Sequence, residues 1–430
     1  METLLKAVQG FMNMGTLILL PLFIMLLGLV FKMNFWKALK AGLLVGVGYE
    51  GINVAIGYFC GILAPITAYY SANGSGFTMV DVGWAGIASL GWAMPFAALV
   101  VPVVIVLNML LIKVGFTRTM NVDIWDYWHP LVGGGIVYFI TKRLTDSSVL
   151  AFVLGFVVAV AFAVLTLKLA DKWAPAWQEH FGLDGTTLVN MDACWTIVPL
   201  GYAVNWVIDK IPGLNKIDIN LDKLSQKLGP LGDSYIISFV VGCILGFLTH
   251  NDIKTSIGVG VGVAAGVAFV PKMVSILMEG MAPVSKAARE WSMKHLGKDR
   301  DIIVGCDCAL GLGDPTGIVT APIMIPICVL IALVWPNNAW FPMAYMGSLV
   351  YTTVLHSMCT KGNAFRTIIC TTVMIIWTTI TFNFMSGIGT ALADFTGAIT
   401  VADGAVITGS GMNQAQNVIL GIIGRLLGAY

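Results

Sequence analysis

The stretch Asn121 to His129 (NVDIWDYWH) sets Asn121, Asp123, Trp125, Asp126, Trp128 and His129 just ahead of an apolar run. Carboxylates and amides make paired hydrogen bonds with hydroxyls, and aromatic rings cover C–H faces, so this mixture suits a small polyhydroxylated ligand. A buried polar group left unpaired costs roughly 1–3 kcal/mol, which is how such a site rejects the wrong stereoisomer. The same residues also fit an interfacial cap, with Asn121 or Asp123 closing a helix start and Trp125 and Trp128 as belt aromatics. Asp123 and His129 are the candidate proton acceptors for any transfer to a ligand hydroxyl.

Other polar residues sit in apolar surroundings. Asp81 and Trp84 lie in one Gly-rich segment, Asp307 and Asp314 in another, and Glu50 lies inside a long apolar run. Carboxylates within a membrane are costly and mark functional sites. The alternative for the carboxylates Asp81, Asp307 and Asp314 is capping of free N–H groups. Glu50 either contacts a ligand or locks a domain interface. Asn363 and Arg366 open another apolar run, where Arg366 suits a carboxylate or a phosphoryl group, or anchors the cytoplasmic end. His180, His250, His295 and His356 show no metal-ligand spacing, and Cys306-Asp307-Cys308 lacks a second pair, so no metal and no cofactor are expected.

The elements that must position these groups are membrane helices. Of 430 residues, 57% are hydrophobic and 11% charged, against about 25% charged in soluble domains. Mean hydropathy is +0.86. Apolar runs near 15–32, 38–63, 94–113, 128–141 and 149–170 in the first half, and 232–250, 255–280, 317–335, 340–356 and 366–386 in the second, approach the ~20 residues of a span. A further short run covers 413–428. The fold expected is an all-α polytopic membrane protein. The first run reads as a span, with no cleavage site after it. A net charge of +1 and the lack of a basic block give no sign of nucleic-acid binding.

Gly42 to Pro65 and Gly260 to Pro283 read alike, 218 positions apart. The first follows Lys32, Lys37 and Lys40; the second precedes Lys286, Arg289, Lys294, Lys298 and Arg300. Positive charge stays on the cytoplasmic side, so the copies should cross in opposite directions. Two inverted repeats of about five spans each, plus a C-terminal span, mark a transporter with its site near the midplane. The halves are residues 1–208 and 232–430, joined by a cytoplasmic linker at 209–231. Segments near 71–95 and 302–322 read as re-entrant helical hairpins, tolerated only against protein or a watery cavity. Lysines flank 186–208 on both sides, which suits a re-entrant or interfacial segment. Residues 284–302 read as a cytoplasmic amphipathic helix.

Five strings, VDVGWAG from Val80, NVDIWDYWH from Asn121, KIPGLNKI from Lys210, LGPLG from Leu228 and GNAFRT from Gly362, resemble the galactitol-type enzyme IIC of the bacterial phosphotransferase system. That component belongs with the ascorbate IIC proteins in one superfamily. The resemblance runs through nearly the whole chain. It implies a homodimer in the inner membrane, each protomer holding a scaffold domain and a mobile core, interleaved between the halves, that slides like an elevator. A separate IIB protein would pass a phosphoryl group from its phosphocysteine to the sugar, with IIA upstream and no phospho-carrier residue in this chain. The substrate class implied is galactitol or a related polyol or sugar. Asp307 fits the family's Gly-x-Asp. Asp314 stands where a His is expected, Asn190 and Asp192 where relatives show a His nearby, and Glu50 where they are apolar, so the substrate is expected to differ from galactitol. The competing class is an H⁺- or Na⁺-coupled carrier of a small polar solute, with Glu50 or Asp307 as the ion carboxylate.

Overall fold

The structure is a computed structural model that describes residues 16–73, 77–121, 123, 125–219, 234–295, 302–342, 344–399 and 406–430. The string LGPLG and much of the 209–231 linker lie outside the described residues. Thirteen α-helices are described: α1 (Thr16–Val30), α2 (Phe35–Asn73), α3 (Gly83–Trp92), α4 (Ala97–Val114), α5 (Trp128–Thr145), α6 (Ser148–Phe181), α7 (Val198–Lys210), α8 (Ser234–Leu248), α9 (Ile253–His295), α10 (Pro315–Val334), α11 (Tyr345–Cys359), α12 (Ala364–Thr396) and α13 (Ala415–Leu426). By length and composition α4, α6, α10 and α12 can each cross a membrane. This is a polytopic, almost wholly helical membrane protein.

The first helical pair recurs 218 positions later. α1 and α8 both have 15 residues, and both lead through a tight turn into a very long helix of 39 (α2) or 43 (α9) residues. In the turns Lys32 and His250 both adopt positive φ, 63° and 56°. Met33 N donates to Gly28 O in one, Asn251 N to Gly246 O in the other. Asn34 and Asp252 then begin the long helices, accepting from Trp36 N (3.0 Å) and Thr255 N (2.6 Å). That bond holds the Asp252 carboxyl below the usual carboxylate range.

Glycine makes these pairs close. A Cβ on Gly42 would fall 2.4 Å from Pro21 O, and one on Gly260 2.7 Å from Phe239 O. Small residues allow helix backbones to approach where no hydrophobic effect drives association. α2 and α9 then pack antiparallel along their length. Phe31 meets Trp291 at one end (5.8 Å between centroids) and Tyr69 meets His250 at the other (5.6 Å). Between them a Cβ on Gly48 would strike the backbone of Leu277 at 2.4 Å.

Short parallel strands tie the rest together. β1 (Met79–Asp81) pairs with β5 (Val406–Thr408), and Met79 also bridges Trp340. β4 (Ile303–Cys306) is central to a second sheet between β2 (Thr119–Asn121) and β3 (Thr186–Leu188). Each strand therefore joins sequence-distant halves.

Three segments singled out in the sequence take the following forms. α9 runs unbroken to His295, so residues 284–295 are helical, as the last turns of a long helix. The 302–322 stretch is β4, a 3₁₀ turn (Cys308–Gly313) and the start of α10. At 186–208, β3 leads into a π turn (Ala193–Ile197) continuous with α7.

Candidate functional site

A cavity of about 140 Å³ lies between the halves. Asp126, His129 and Asp192 border it from the first half, Asp307, Tyr345 and Ser410 from the second.

Asn121 and Asp123 take part in a ladder of bonds to the backbone. Asn108 Nδ2 donates to Thr119 O (2.8 Å), and its Oδ1 accepts from Asn121 N (2.9 Å). Asn121 Oδ1 accepts from Asp123 N (2.9 Å), and Asp123 Oδ1 from Asp126 N (3.3 Å). This ladder sets a 3₁₀ turn (Trp125–Tyr127) that delivers Asp126, Trp128 and His129 to the cavity wall. The side chain of Trp125 lies outside what the structure describes. Trp128 stacks on His129 with centroids 3.6 Å apart.

Asp126 and His129 are held by amides. Asn190 Oδ1 accepts from Ala193 N (3.0 Å), so its Nδ2 faces Asp126 Oδ1 (3.0 Å) and His129 Nε2 (3.0 Å). His129 Nε2 also lies 3.6 Å from Asp126 Oδ1, and its Nδ1 meets Gln414 Nε2. Asp123, Asp126 and Asp307 bring carboxylate oxygens within 4.8 Å of one another. Asp307 Oδ1 caps the 3₁₀ turn by accepting from Ala309 N (2.6 Å).

Among the described residues, Asp126 Oδ2, Asp192 Oδ1 and Ser410 Oγ are buried without a hydrogen-bond partner, and all three residues border the cavity. Such atoms cost free energy unless a ligand meets them. The wall can offer two carboxylate acceptors and one hydroxyl to a polar guest.

Of the expected residues, Trp84, His129, Asp192 and Asp307 border the cavity, and Asp123 stands behind Asp126. Five others are placed elsewhere. Asp81 accepts from Gly83 N, Ala344 N and Tyr345 N (3.0, 3.0 and 2.9 Å), which makes it a cap tying the start of α3 to that of α11. Asp314 caps α10 through Gly317 N (2.6 Å) and pairs with His180 Nε2 (3.1 Å). Asn363 caps α12 through Arg366 N (3.2 Å) and donates to Ile217 O (2.9 Å). Glu50 is exposed in an outer apolar groove with Pro21, Val54 and Phe269. Asn121 serves as the rung described above. Arg366 pairs with Asp209 (2.6 Å) and Asn205 (2.8 Å) instead of a cavity carboxylate.

Sequence reasoning missed Tyr345, Ser410, Asn413 and Gln414. The stretch Gly409 to Asn417 (GSGMNQAQN) had a signal, being dense in polar groups between apolar runs.

The family model for the "PTS system sugar-specific permease component" matches residues 10–403. The chain is 28% identical to the galactitol-specific EIIC component of the PTS system in Escherichia coli strain K12, over 395 residues covering 92% of this chain and 85% of that protein. It is 30% identical to a putative permease IIC component of the same strain, over 366 residues, 85% of this chain and 82% of that one. With the site set between two helical halves and the match running through nearly all of the chain, this protein belongs to the sugar-specific permease (IIC) family of the phosphotransferase system, galactitol type.

Proposed function

We propose that this chain carries a small polyol, galactitol or a near relative, across the bacterial inner membrane and presents it to a separate IIB protein for phosphorylation. The observation that carries this reading is the set of unpartnered atoms Asp126 Oδ2, Asp192 Oδ1 and Ser410 Oγ on one cavity wall. Vicinal hydroxyls complete such groups, while Trp84 and Trp128 supply faces for C–H bonds. Asp126, rather than Asp123 or His129, is the carboxylate placed to accept the hydroxyl proton at phosphoryl transfer.

Transport by two inverted repeats is the reading we adopt for the fold. It is supported by the recurrence of α1–α2 as α8–α9 in antiparallel contact, and by strands that pair across the halves. The α1–α2 and α8–α9 body is the proposed scaffold. The β-strand-linked remainder, with re-entrant segments near 71–95 and 302–322, is the proposed elevator core. The homodimer rests on the resemblance.

Three carboxylates within 4.8 Å favour one second reading, an H⁺- or Na⁺-coupled carrier, because like charges at that spacing call for a proton or cation. Vesicles containing the purified protein, with IIA, IIB and phosphoenolpyruvate inside, decide. Partner-dependent appearance of galactitol phosphate is expected. Free polyol that accumulates and collapses with the ion gradient establishes the second reading instead.

A further inference from the structure

Both ring nitrogens of His129 face amide nitrogens, Asn190 Nδ2 at 3.0 Å from Nε2 and Gln414 Nε2 at Nδ1. Neither amide can turn round. Asn190 Oδ1 is committed to the backbone N–H of Ala193. Asn417 Nδ2 must face its acceptor, Gly411 O (2.8 Å), and it also donates to Gln414 Oε1 (3.3 Å). Gln416 Nε2 donates to that same oxygen (2.7 Å). Gln414 is thereby left with its N–H groups toward the imidazole.

A neutral imidazole has one N–H and one lone pair. Against two amide donors one nitrogen must carry hydrogen, and it needs an acceptor elsewhere. Among the described residues Nδ1 has only Gln414 before it, so Nδ1 accepts. Nε2 has Asp126 Oδ1 at 3.6 Å, so Nε2 bears the hydrogen and directs it there. Asp126 Oδ1 accepts from Asn190 Nδ2 and faces the Nε2–H across 3.6 Å, an electrostatic contact longer than a hydrogen bond, and Oδ2 is left unpartnered at the cavity.

We infer that Gln414 is a positioning residue of the site: anchored by Asn417 and Gly411, it fixes His129 as the Nε2–H tautomer and so aims the free oxygen of Asp126 at the ligand. The inference deepens the transport reading and rests on it for the word ligand, but its geometry stands apart. The tautomer is selected by a buried hydrogen-bond partner, as happens wherever one imidazole nitrogen is fixed by the bond the other makes.

The test is ¹⁵N NMR of histidine-labelled protein in lipid bilayers, with the His129 signals assigned by their loss in His129→Gln. The expected wild-type ring is protonated at Nε2 alone. In Gln414→Glu a carboxylate replaces the amide, and the hydrogen moves to Nδ1; Asn417→Leu, one step further out, gives a mixture of tautomers. Both variants lower polyol uptake by roughly tenfold or more, the scale of one lost buried hydrogen bond. A wild-type ring protonated at Nδ1, or an unchanged tautomer in folded Gln414→Glu, overturns the inference. Tautomers as expected in a protein that moves no polyol leave the inference standing and remove the transport reading.

Discussion

At the scale of single residues, an atom without a partner is more telling than an atom with several. Asp81 commits both carboxylate oxygens to three backbone N–H groups and does not border the cavity. Asp192 has a buried oxygen with no partner. Asp192→Asn replaces an acceptor with a donor at one position and should lower polyol uptake by about tenfold or more with little loss of stability. Asp81→Ala should do the reverse, costing about 1–2 kcal/mol in thermal or denaturant unfolding while ligand affinity in the folded fraction is kept. Uptake in vesicles and unfolding in detergent separate the two. Equal effects of both variants on both measurements would refute the division of labour. The sequence made these carboxylates look alike, since residue type and apolar context are common to all of them. What separates them is which backbone N–H groups lie nearby, and for Asp81 those belong to Ala344 and Tyr345, more than 260 positions away.

At the scale of elements, the repeated helical pair was legible because its determinants are local. A glycine that lets two backbones meet, a positive-φ turn residue and a polar helix start fall at the same spacing in both copies. The strands were not legible, because three- and four-residue pieces such as Met79–Asp81 owe their form to partners from the other half. Matching packing predicts matching sensitivity. Gly42→Ala and Gly260→Ala each drive a methyl group into a carbonyl of the neighbouring helix, at Pro21 O and Phe239 O. Overpacking of this kind costs about 1–3 kcal/mol. Both variants should lose stability on unfolding by a similar amount. Gly61→Ala, where a Cβ meets nothing within 4 Å, should lose little. Loss in only one of the pair would show that the two copies carry unequal loads.

At the scale of the whole molecule, the cavity lies where two halves meet, and a carrier must open it to each side of the membrane in turn. A native thiol can report this. Of the seven described free cysteines, Cys308 alone borders the central cavity. In a variant whose other cysteines are replaced by serine or alanine, small water-soluble methanethiosulfonates should reach Cys308 from either face of oriented vesicles. Asp126 and Asp307 share its wall, so a cationic reagent should react faster than an anionic one of the same size. Polyol in the cavity should slow both by occupying the space in front of the thiol. Replacing Asp126 with Asn removes one carboxylate and should narrow the gap between the two reagents. Labelling from a single face, with equal rates for both charges and no protection by polyol, would mean that this cavity is not the passage, whatever the permease carries.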